Sequence, residues 1–198
     1  MPAGLILAAG ASRRMGRPKA LLATPEGETF LHRMVRIMGA HCDPVIVVVA
    51  PGCESWTAGT TATVAVNPDP DRGMLSSLQC GLQSLDPEVE HIVFTPMDLP
   101  TLSEGTVAAV ARAVRQADVV IPRYKADRGH PVAISRAVAC ELLTLDPLTA
   151  NPKDVLRRDD ARVLFLDIDD PGAVRDIDEP KDYQALLQQQ QQPAAVQA

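Results

Sequence analysis

The chain has 198 residues, a length that suits one sizeable domain and is short for two. Hydrophobic residues make up 46% of it, aromatic residues 3% and charged residues 22%, a composition that excludes a disordered chain or a fibre and predicts an aliphatic core. The formal net charge of −6 argues against a surface that binds nucleic acid by neutralising many phosphates.

The cysteines and the apolar segments bear on the compartment in which the protein works. Cys42, Cys53, Cys80 and Cys140 are scattered, without a CxxC pair or a Cys/His cluster, which is poor zinc spacing and typical of buried thiols in a reducing compartment. No apolar run approaches the roughly 18 residues of a membrane span, and the apolar start at Leu5–Ala9 follows no basic segment. We therefore expect a cytoplasmic protein without membrane contact.

The first half of the chain alternates strand and helix patterns. Gly4–Ala8 is continuously apolar, which is typical of a strand buried on both faces, and the basic segment Gly10–Lys19 follows it. Thr29–Met38 has apolar residues at helical spacing, with Thr29 as the expected N-cap. The other elements predicted in this half are strands over Val45–Ala50 and Ala62–Val66, a long turn over Asn67–Gly73 and a helix over Met74–Leu85.

The second half continues this alternation and then changes in composition. The predicted elements are a strand over His91–Thr95, a helix capped by Ser103, a short strand over Val119–Ile121, a polar loop over Arg123–Gly129, a strand over Pro131–Ile134, a helix over Arg136–Leu145, a short helix over Asn151–Asp160 and a strand over Val163–Ile168. The five-Gln run that begins at Gln188 is of low complexity, so residues 188–198 are predicted to form a disordered tail after a single domain over residues 1–187.

Strands separated by helices predict a three-layer α/β fold with a mostly parallel mixed sheet and helices on both faces. Ligands of such folds bind beyond the carboxyl ends of the strands. The loops expected to meet there are Gly10–Lys19, Asn67–Met74 and Thr95–Pro100.

The loop after the first predicted strand combines two glycines with four cations. Glycines bring backbone N–H groups close to a polyphosphate, and cations balance its charge. This is not a Walker A loop, because five residues rather than four separate Gly10 from Gly16 and no Ser or Thr follows Lys19. The segment also lacks the GxGxxG fingerprint of dinucleotide-binding loops. The pattern favours an anion-binding loop, with a solvated basic turn as the alternative. Its cations are Arg13, Arg14, Arg17 and Lys19.

The segment Leu7-Ala-Ala-Gly-Ala-Ser-Arg-Arg-Met-Gly-Arg-Pro-Lys19 resembles the signature loop of the MobA-like nucleotidyltransferases, particularly the molybdenum cofactor cytidylyltransferases. Further segments that agree in order are Gly73-Met-Leu-Ser-Ser-Leu78, Asp98-Leu-Pro100, Gly129-His-Pro-Val132 and Asp176-Ile-Asp-Glu-Pro-Lys-Asp182. The resemblance implies a Rossmann-like nucleotidyltransferase fold and Mg²⁺-dependent transfer of CMP from CTP to the terminal phosphate of a molybdopterin-type cofactor, with release of pyrophosphate. It also implies transient contact with a molybdoenzyme.

Two acidic positions are candidates for the metal site. Asp98, at the carboxyl end of a predicted strand, is a hard oxygen ligand suited to Mg²⁺, and the resemblance makes it the main metal ligand. The alternative is that Asp98 caps the helix that follows. Asp176 and Asp178 flank Ile177 and share one side of an extended segment. The resemblance favours Asp178 as the second ligand, with an acidic turn at the start of the last helix as the alternative.

The resemblance also assigns contacts with the nucleotide. Arg14 and Lys19 would meet the triphosphate and the charge on the leaving pyrophosphate, and they are the predicted catalytic residues together with Asp98. Arg13 and Arg17 are expected to be solvated. The nucleotide-binding residues that the resemblance implies are Leu7, Ala8, Ala9, Gly10, Arg14, Lys19, Asn67 and Ser77.

Three further residues bear on the site and its specificity. Ser76 is as well suited to cap the helix as to contact a ligand. His130 is a lone histidine, and such a residue more often has a structural role or contacts the acceptor phosphate than acts as a general base. Ala9 favours CTP, because loops of this family that accept CTP tend to read Leu-Ala-Ala-Gly and a Cβ methyl there would crowd a purine.

The sequence leaves the acceptor substrate open. Between Leu145 and Asp160 the chain has Asn151-Pro-Lys-Asp-Val in place of the small-residue and Arg pattern that the resemblance leads us to expect. One alternative is a guanylyltransferase, or a nucleotidyltransferase acting on a sugar phosphate or another small phosphorylated acceptor. The other is a non-catalytic nucleotide-binding partner of a molybdoenzyme.

Overall fold

The structure is a computed structural model that describes residues 1–156 and 158–189. Within these residues eight strands form one mixed sheet. In chain order the strands are β1 (Ala3–Leu7), β2 (Val45–Val49), β3 (Thr63–Val66), β4 (His91–Pro96), β5 (Val119–Tyr124), β6 (Asp127–Arg128), β7 (Val132–Ser135) and β8 (Val163–Asp167). The helices are α1 (Phe30–Gly39), α2 (Met74–Gln83), α3 (Glu104–Ala113), α4 (Arg136–Leu143), α5 (Pro152–Leu156) and α6 (Pro180–Gln189).

The sheet runs in the order β3-β2-β1-β4-β7-β5-β6, and β8 pairs with β5. The four strands from β3 to β4 are mutually parallel, as is the β5–β8 pair, whereas β7 runs antiparallel between β4 and β5. Strands β1 and β2 are buried throughout because helices cover both faces of the sheet. A hydrophobic core lies on each face of the sheet. Ile6 packs into one of these cores, and its neighbours Leu5 and Leu7 pack into the other.

Each core belongs to one layer of helices. Side chains of α1, α3 and α6 pack on one face of the sheet, and side chains of α2, α4 and α5 pack on the other. The predicted caps are confirmed, because Thr29 Oγ1 accepts a hydrogen bond from His32 N at 3.1 Å and Ser103 Oγ accepts one from Thr106 N at 3.1 Å. The three-layer α/β architecture is therefore confirmed.

Two of the predicted helices end earlier than the apolar pattern indicates. Helix α2 stops at Gln83 and α4 at Leu143. The hydroxyls of Ser84 and Thr144 donate to carbonyl oxygens of the last turn, at 2.7 Å in each case. Such local side-chain bonds compete with continuation of a helix.

The prediction of a polar loop over residues 123–129 is wrong. Strand β5 continues to Tyr124 and forms a hairpin with β6. The guanidinium groups of Arg123 and Arg128 stack on the ring of Phe165, 5.7 and 4.9 Å from its centroid. Aromatic packing of these long cations stabilises a polar edge strand that alternation of hydrophobicity does not reveal. The helix predicted over residues 151–160 is likewise shorter, because only Pro152–Leu156 is α-helical.

Helix α6 runs to Gln189, so the first two residues of the predicted tail lie in a helix. The rest of that segment, residues 190–198, lies outside the described residues. Disorder of the tail therefore stays a prediction. In the part of the chain that the structure describes, every helix is too short or too polar to cross a bilayer.

Candidate active site

The basic loop leaves β1 at Leu7 and is folded by its own backbone bonds. The carbonyl of Ser12 accepts from Met15 N at 3.1 Å and from Gly16 N at 3.2 Å, and Gly16 takes the left-handed φ of +71° that glycine adopts without strain. Met15 is 5% exposed and anchors the loop in the core. Ser12 Oγ accepts from Lys19 N at 3.2 Å. The loop therefore holds Lys19 in a defined place.

Lys19 contacts two carboxylates from distant parts of the chain. Its side chain is only 10% exposed, and Nζ donates to Asp98 Oδ2 at 3.1 Å and to Asp178 Oδ1. Burial by itself would lower the pKa of Lys19, but the hydrogen bond to Asp178 and the charge of Asp98 outweigh it, so the pKa is raised. Lys19 is a buried cation between two acids.

Asp98 reaches this place because β4 ends beside β1. The backbone N–H of Met97 donates to the carbonyl of Leu7 at 3.2 Å, which ties the two strand ends together. Ser103 caps α3, so the Asp98 carboxylate is not needed as a helix cap. Its side chain is 23% exposed and is available to a ligand.

Asp178 is brought to Asp98 by a backbone bond. Ile177 is fully buried, and its N–H donates to the carbonyl of Asp98 at 2.9 Å. Asp182 Oδ2 accepts from the backbone N–H groups of Asp178 and Glu179, at 3.2 and 2.8 Å, and so caps the start of α6. The Asp178 carboxylate is therefore left for the site.

The charges around Asp178 keep it ionised. The hydrogen bond from Lys19 lowers the pKa of Asp178 against the opposing effect of burial, and the charge of Arg14 lowers it further. Arg14 reaches Asp178 Oδ2 at 2.7 Å, although its side chain is 68% exposed. Asp176, the other candidate, is exposed and does not line this site.

These groups surround a cavity of about 260 Å³ at the carboxyl ends of β1 and β4, which we call the first cavity. Its lining residues are Leu7, Ala8, Gly10, Ser12, Arg13, Arg14, Lys19, Pro96, Met97, Asp98 and Asp178. Ser12, Arg13, Pro96 and Met97 were missed as site residues. Arg13 is exposed, as predicted, but it also lines the cavity. The position of Ser12 next to the Arg pair is the signal that could have found it. A larger cavity of about 640 Å³ lies at the opposite edge of the sheet, near Pro2 and His91, and none of the predicted site residues lines it.

Three predicted nucleotide contacts lie away from the lining of the first cavity. Asn67 Nδ2 donates to Ser76 Oγ and Ser77 Oγ, at 3.0 Å each, and all three residues are buried. Ser76 Oγ also donates to the carbonyl of Gly73 at 2.8 Å. This cluster fixes the turn before α2. Ala9 is 3% exposed and directly precedes Gly10 in the chain, but it does not line the first cavity.

His130 does not line the first cavity. Burial lowers the pKa of its ring to about 4, so the imidazole is neutral at neutral pH. Its Nδ1 atom is buried without a hydrogen-bond partner. Its ring packs edge-on against Phe94, with centroids 6.2 Å apart.

The acids of the first cavity fit a metal that arrives with a phosphorylated ligand. Among residues 1–156 and 158–189 no group of three or more His, Cys, Asp or Glu side chains could hold an ion. Asp98 and Asp178, however, both contact the ammonium of Lys19 and so lie within reach of one cation. Mg²⁺ is usually bound by one or two carboxylates together with substrate phosphates and water.

Comparisons with known proteins identify the family that this chain resembles in sequence. Residues 4–163 match the model of the MobA-like NTP transferase domain. The molybdenum cofactor cytidylyltransferase of Escherichia coli (strain K12) is 26% identical over 183 residues, covering 90% of this chain and 92% of that protein. A probable molybdenum cofactor guanylyltransferase of Mycobacterium tuberculosis (strain H37Rv) is 39% identical over 126 residues, covering 61% of each chain.

Solved structures share the whole fold. Rv0371c from Mycobacterium tuberculosis H37Rv, solved in complex with manganese, has a TM-score of 0.70 at 27% identity and covers 94% of this chain and 97% of its own. A nucleotidyl transferase from Methanothermobacter has a TM-score of 0.76 at 23% identity, covering 96% and 97%. The predicted Rossmann-like nucleotidyltransferase fold is therefore confirmed.

Proposed function

This chain belongs to the MobA-like NTP transferase family of nucleotidyltransferases, and we propose that it transfers CMP from CTP to the terminal phosphate of a molybdopterin-type cofactor, with release of pyrophosphate. The observation that carries the proposal is the meeting of Lys19 with Asp98 and Asp178 beneath a glycine-containing basic loop. Such an arrangement can hold a polyphosphate together with a divalent cation.

The reaction needs positioning and charge neutralisation rather than a covalent intermediate. An acceptor phosphate oxygen attacks the α-phosphorus of the nucleotide in line, and pyrophosphate leaves. The backbone at Ala8 and Gly10 lies against the first cavity and would approach the triphosphate. Lys19 and Arg14 would then bind the charge that develops on the leaving pyrophosphate, because both are cations at the same end of the cavity.

Asp98 and Asp178 are the residues that would hold Mg²⁺. The ion would neutralise phosphate charge and orient the phosphates for attack. The manganese complex of Rv0371c supports the use of a divalent ion by this chain too. Lys19 pairs with both carboxylates, so its ammonium would lie close to the phosphates of a nucleotide bound there.

Identification of the product tests the proposed reaction. The purified protein is incubated with Mg²⁺, molybdopterin and CTP, and the cofactor is analysed by mass spectrometry. We expect molybdopterin to gain the mass of CMP. A parallel incubation contains a sugar phosphate in place of molybdopterin. Nucleotidylation of the sugar phosphate, with molybdopterin left unmodified in the first incubation, would instead support the alternative acceptor.

A guanylyltransferase is the second candidate, and the 39% identity to mycobacterial proteins with that name favours it. The E. coli cytidylyltransferase matches more of the chain at lower identity, and we infer the preference for CTP from Ala9. Ala9 is buried between Ala8 and Gly10, which both line the first cavity, and we infer that its methyl group narrows the space for a base there.

Replacement of Ala9 with glycine is expected to narrow the preference for CTP over GTP without reversing it. One methyl group in a pocket supplies about 1 to 3 kcal/mol of discrimination, so the ratio should change by at most roughly 100-fold. The measurement is kcat/KM for both nucleotides in both proteins. A wild-type protein that prefers GTP, or a ratio that does not move, would show that other residues select the base.

Replacement of Asp178 with asparagine is expected to lower kcat less than the same change at Asp98, with partial recovery when Mn²⁺ replaces Mg²⁺. The carboxylate is ionised and shares Lys19 with Asp98, but Arg14 and Lys19 neutralise it in part. Initial rates over a range of metal concentrations measure the effect. Unchanged rates would show that Asp178 is not the second ligand.

A further inference from the structure

Asp170 lies between β8 and α6, directly before a short 3₁₀ turn over Pro171–Ala173. Within residues 1–156 and 158–189 it is the one acidic residue that is buried, with 8% of its surface exposed. Burial of a carboxylate costs free energy unless hydrogen bonds replace the lost water. A buried acid at this position therefore needs donors, and three groups provide them.

The three donors come from two parts of the chain. Asp170 Oδ2 accepts from the backbone N–H of Ser103 at 2.9 Å and from the hydroxyl of Thr106 at 2.6 Å, both at the start of α3. Asp170 Oδ1 accepts from the backbone N–H of Gly172 at 2.9 Å. Hydrogen bonds to a charged acceptor are stronger than those between neutral groups, and the N-terminal end of a helix favours negative charge. The carboxylate therefore joins the start of α3 to the turn over Pro171–Ala173.

The two segments that Asp170 joins are those that carry the acids of the first cavity. Ser103 lies in the segment between β4 and α3, which contains Asp98, and Asp170 lies in the segment between β8 and α6, which contains Asp178. The bond from Ile177 N to the carbonyl of Asp98, at 2.9 Å, joins the same two segments beside the cavity. Asp170 supplies a second connection between them, away from the cavity lining.

The two segments also touch backbone against backbone. A Cβ atom at Gly172 would collide with the carbonyl group of Thr101 and would lie 2.8 Å from Leu102 N. Packing as close as this leaves no space into which either segment could relax. A shift at Asp170 would therefore be transmitted to the segment that contains Asp98.

Asp170 is not itself a candidate metal ligand. Its oxygens accept from three protein donors, and it does not line the first cavity. An influence of this carboxylate on the reaction would act through the placement of Asp98 and Asp178.

We propose that Asp170 is a positioning residue, which holds the segments of Asp98 and Asp178 together so that the two carboxylates can share one divalent ion. The inference rests on the proposed function, because it takes these two acids to be the residues that hold the ion.

Binding of Mn²⁺ to the protein without nucleotide tests the inference apart from turnover. Free Mn²⁺ is measured by electron paramagnetic resonance during titration of the wild-type protein and of Asp170→Asn. The amide keeps the shape of the side chain but replaces one acceptor oxygen with a donor. We expect the Kd of Mn²⁺ to rise by about tenfold, as for loss of one hydrogen bond to a charged group, with a lower melting temperature.

Thr106→Val is a milder second variant, which keeps the side-chain volume and removes one of the three hydrogen bonds. It tests the inference even if Asp170→Asn does not fold. We expect the Kd of Mn²⁺ to rise by about threefold in this variant, because the two backbone N–H groups still bind the carboxylate.

Asp118→Asn is the matched control. Asp118 Oδ1 accepts from the hydroxyl of Ser135, the cap of α4, at 2.8 Å, and Asp118 does not line the first cavity. The same chemical change therefore weakens a carboxylate–hydroxyl contact at the start of a different helix. We expect a lower melting temperature and an unchanged Kd of Mn²⁺. Asp98→Asn, the reference for a lost ligand, should bind Mn²⁺ far more weakly than the wild-type protein does.

The metal dependence of the transfer reaction is the second readout. Asp170→Asn should raise the Mg²⁺ concentration at half-maximal rate by about tenfold and lower kcat at saturating Mg²⁺ by less than about threefold, because both acids remain present. An unchanged Kd of Mn²⁺ in the folded variants of Asp170 and Thr106, or equal weakening by Asp118→Asn, would overturn the inference and leave the proposed function in place. Binding of Mn²⁺ that Asp98→Asn does not weaken would instead overturn the metal site of the proposed function, and the inference with it.

Discussion

Replacement of Asp98 with asparagine is expected to reduce turnover by on the order of 1000-fold or more while the fold stays intact. Asparagine keeps the shape of the side chain but loses the charge that would hold Mg²⁺ against the phosphates. Asp98 is not the cap of α3, so the change removes no helix-stabilising contact. The measurement is kcat at saturating Mg²⁺, together with the melting temperature.

Asp176→Asn is the matched control for this variant. Asp176 is an exposed carboxylate that does not line the first cavity, so the same chemical change there should leave kcat within about twofold. Activity of Asp98→Asn close to that of the wild type at saturating Mg²⁺ would exclude Asp98 as the main metal ligand.

Replacement of Lys19 with alanine is expected to lower kcat by about 100- to 1000-fold, or roughly 3 to 4 kcal/mol, the cost of losing one preorganised donor to transition-state charge. Lys19 is nearly buried and contacts both acids of the site. Its removal also leaves two carboxylates without their shared cation, so some loss of stability should accompany the loss of rate. Single-turnover rates at saturating CTP, measured below the melting temperature, separate the two effects.

Arg17→Ala shows whether the effect belongs to Lys19 or to the charge of the loop. The guanidinium of Arg17 stacks on the ring of Tyr183, 5.1 Å from its centroid, and does not line the first cavity. The Arg17→Ala variant should therefore lower kcat far less than Lys19→Ala does. An equal and mild effect of both variants would favour a solvated basic turn over a phosphate-binding loop.

Much of the fold follows from local patterns in the sequence. Continuous apolar runs mark β1 and β2 because both of their faces are buried, and Thr29 and Ser103 mark helix starts because their hydroxyls satisfy backbone N–H groups. Lys19 and Asp98 can be chosen as site candidates because each follows a buried strand, and the carboxyl ends of parallel strands meet at one edge.

Other features depend on contacts between distant residues that no local pattern encodes. The bond from Ile177 N to the carbonyl of Asp98 selects Asp178 for the first cavity and leaves Asp176 in solvent. Spacing by itself places both acids on the same side of an extended strand.

Release of pyrophosphate is the most direct test of the central claim, which is that the first cavity performs nucleotidyl transfer. It is measured for the wild-type protein and for Asp98→Asn with CTP and Mg²⁺, in the presence and absence of molybdopterin. We expect rapid release by the wild-type protein only when molybdopterin and the metal are both present, and almost none by the variant. CTP binding without acceptor-dependent release of pyrophosphate in the wild-type protein would contradict the claim and identify a non-catalytic nucleotide-binding protein.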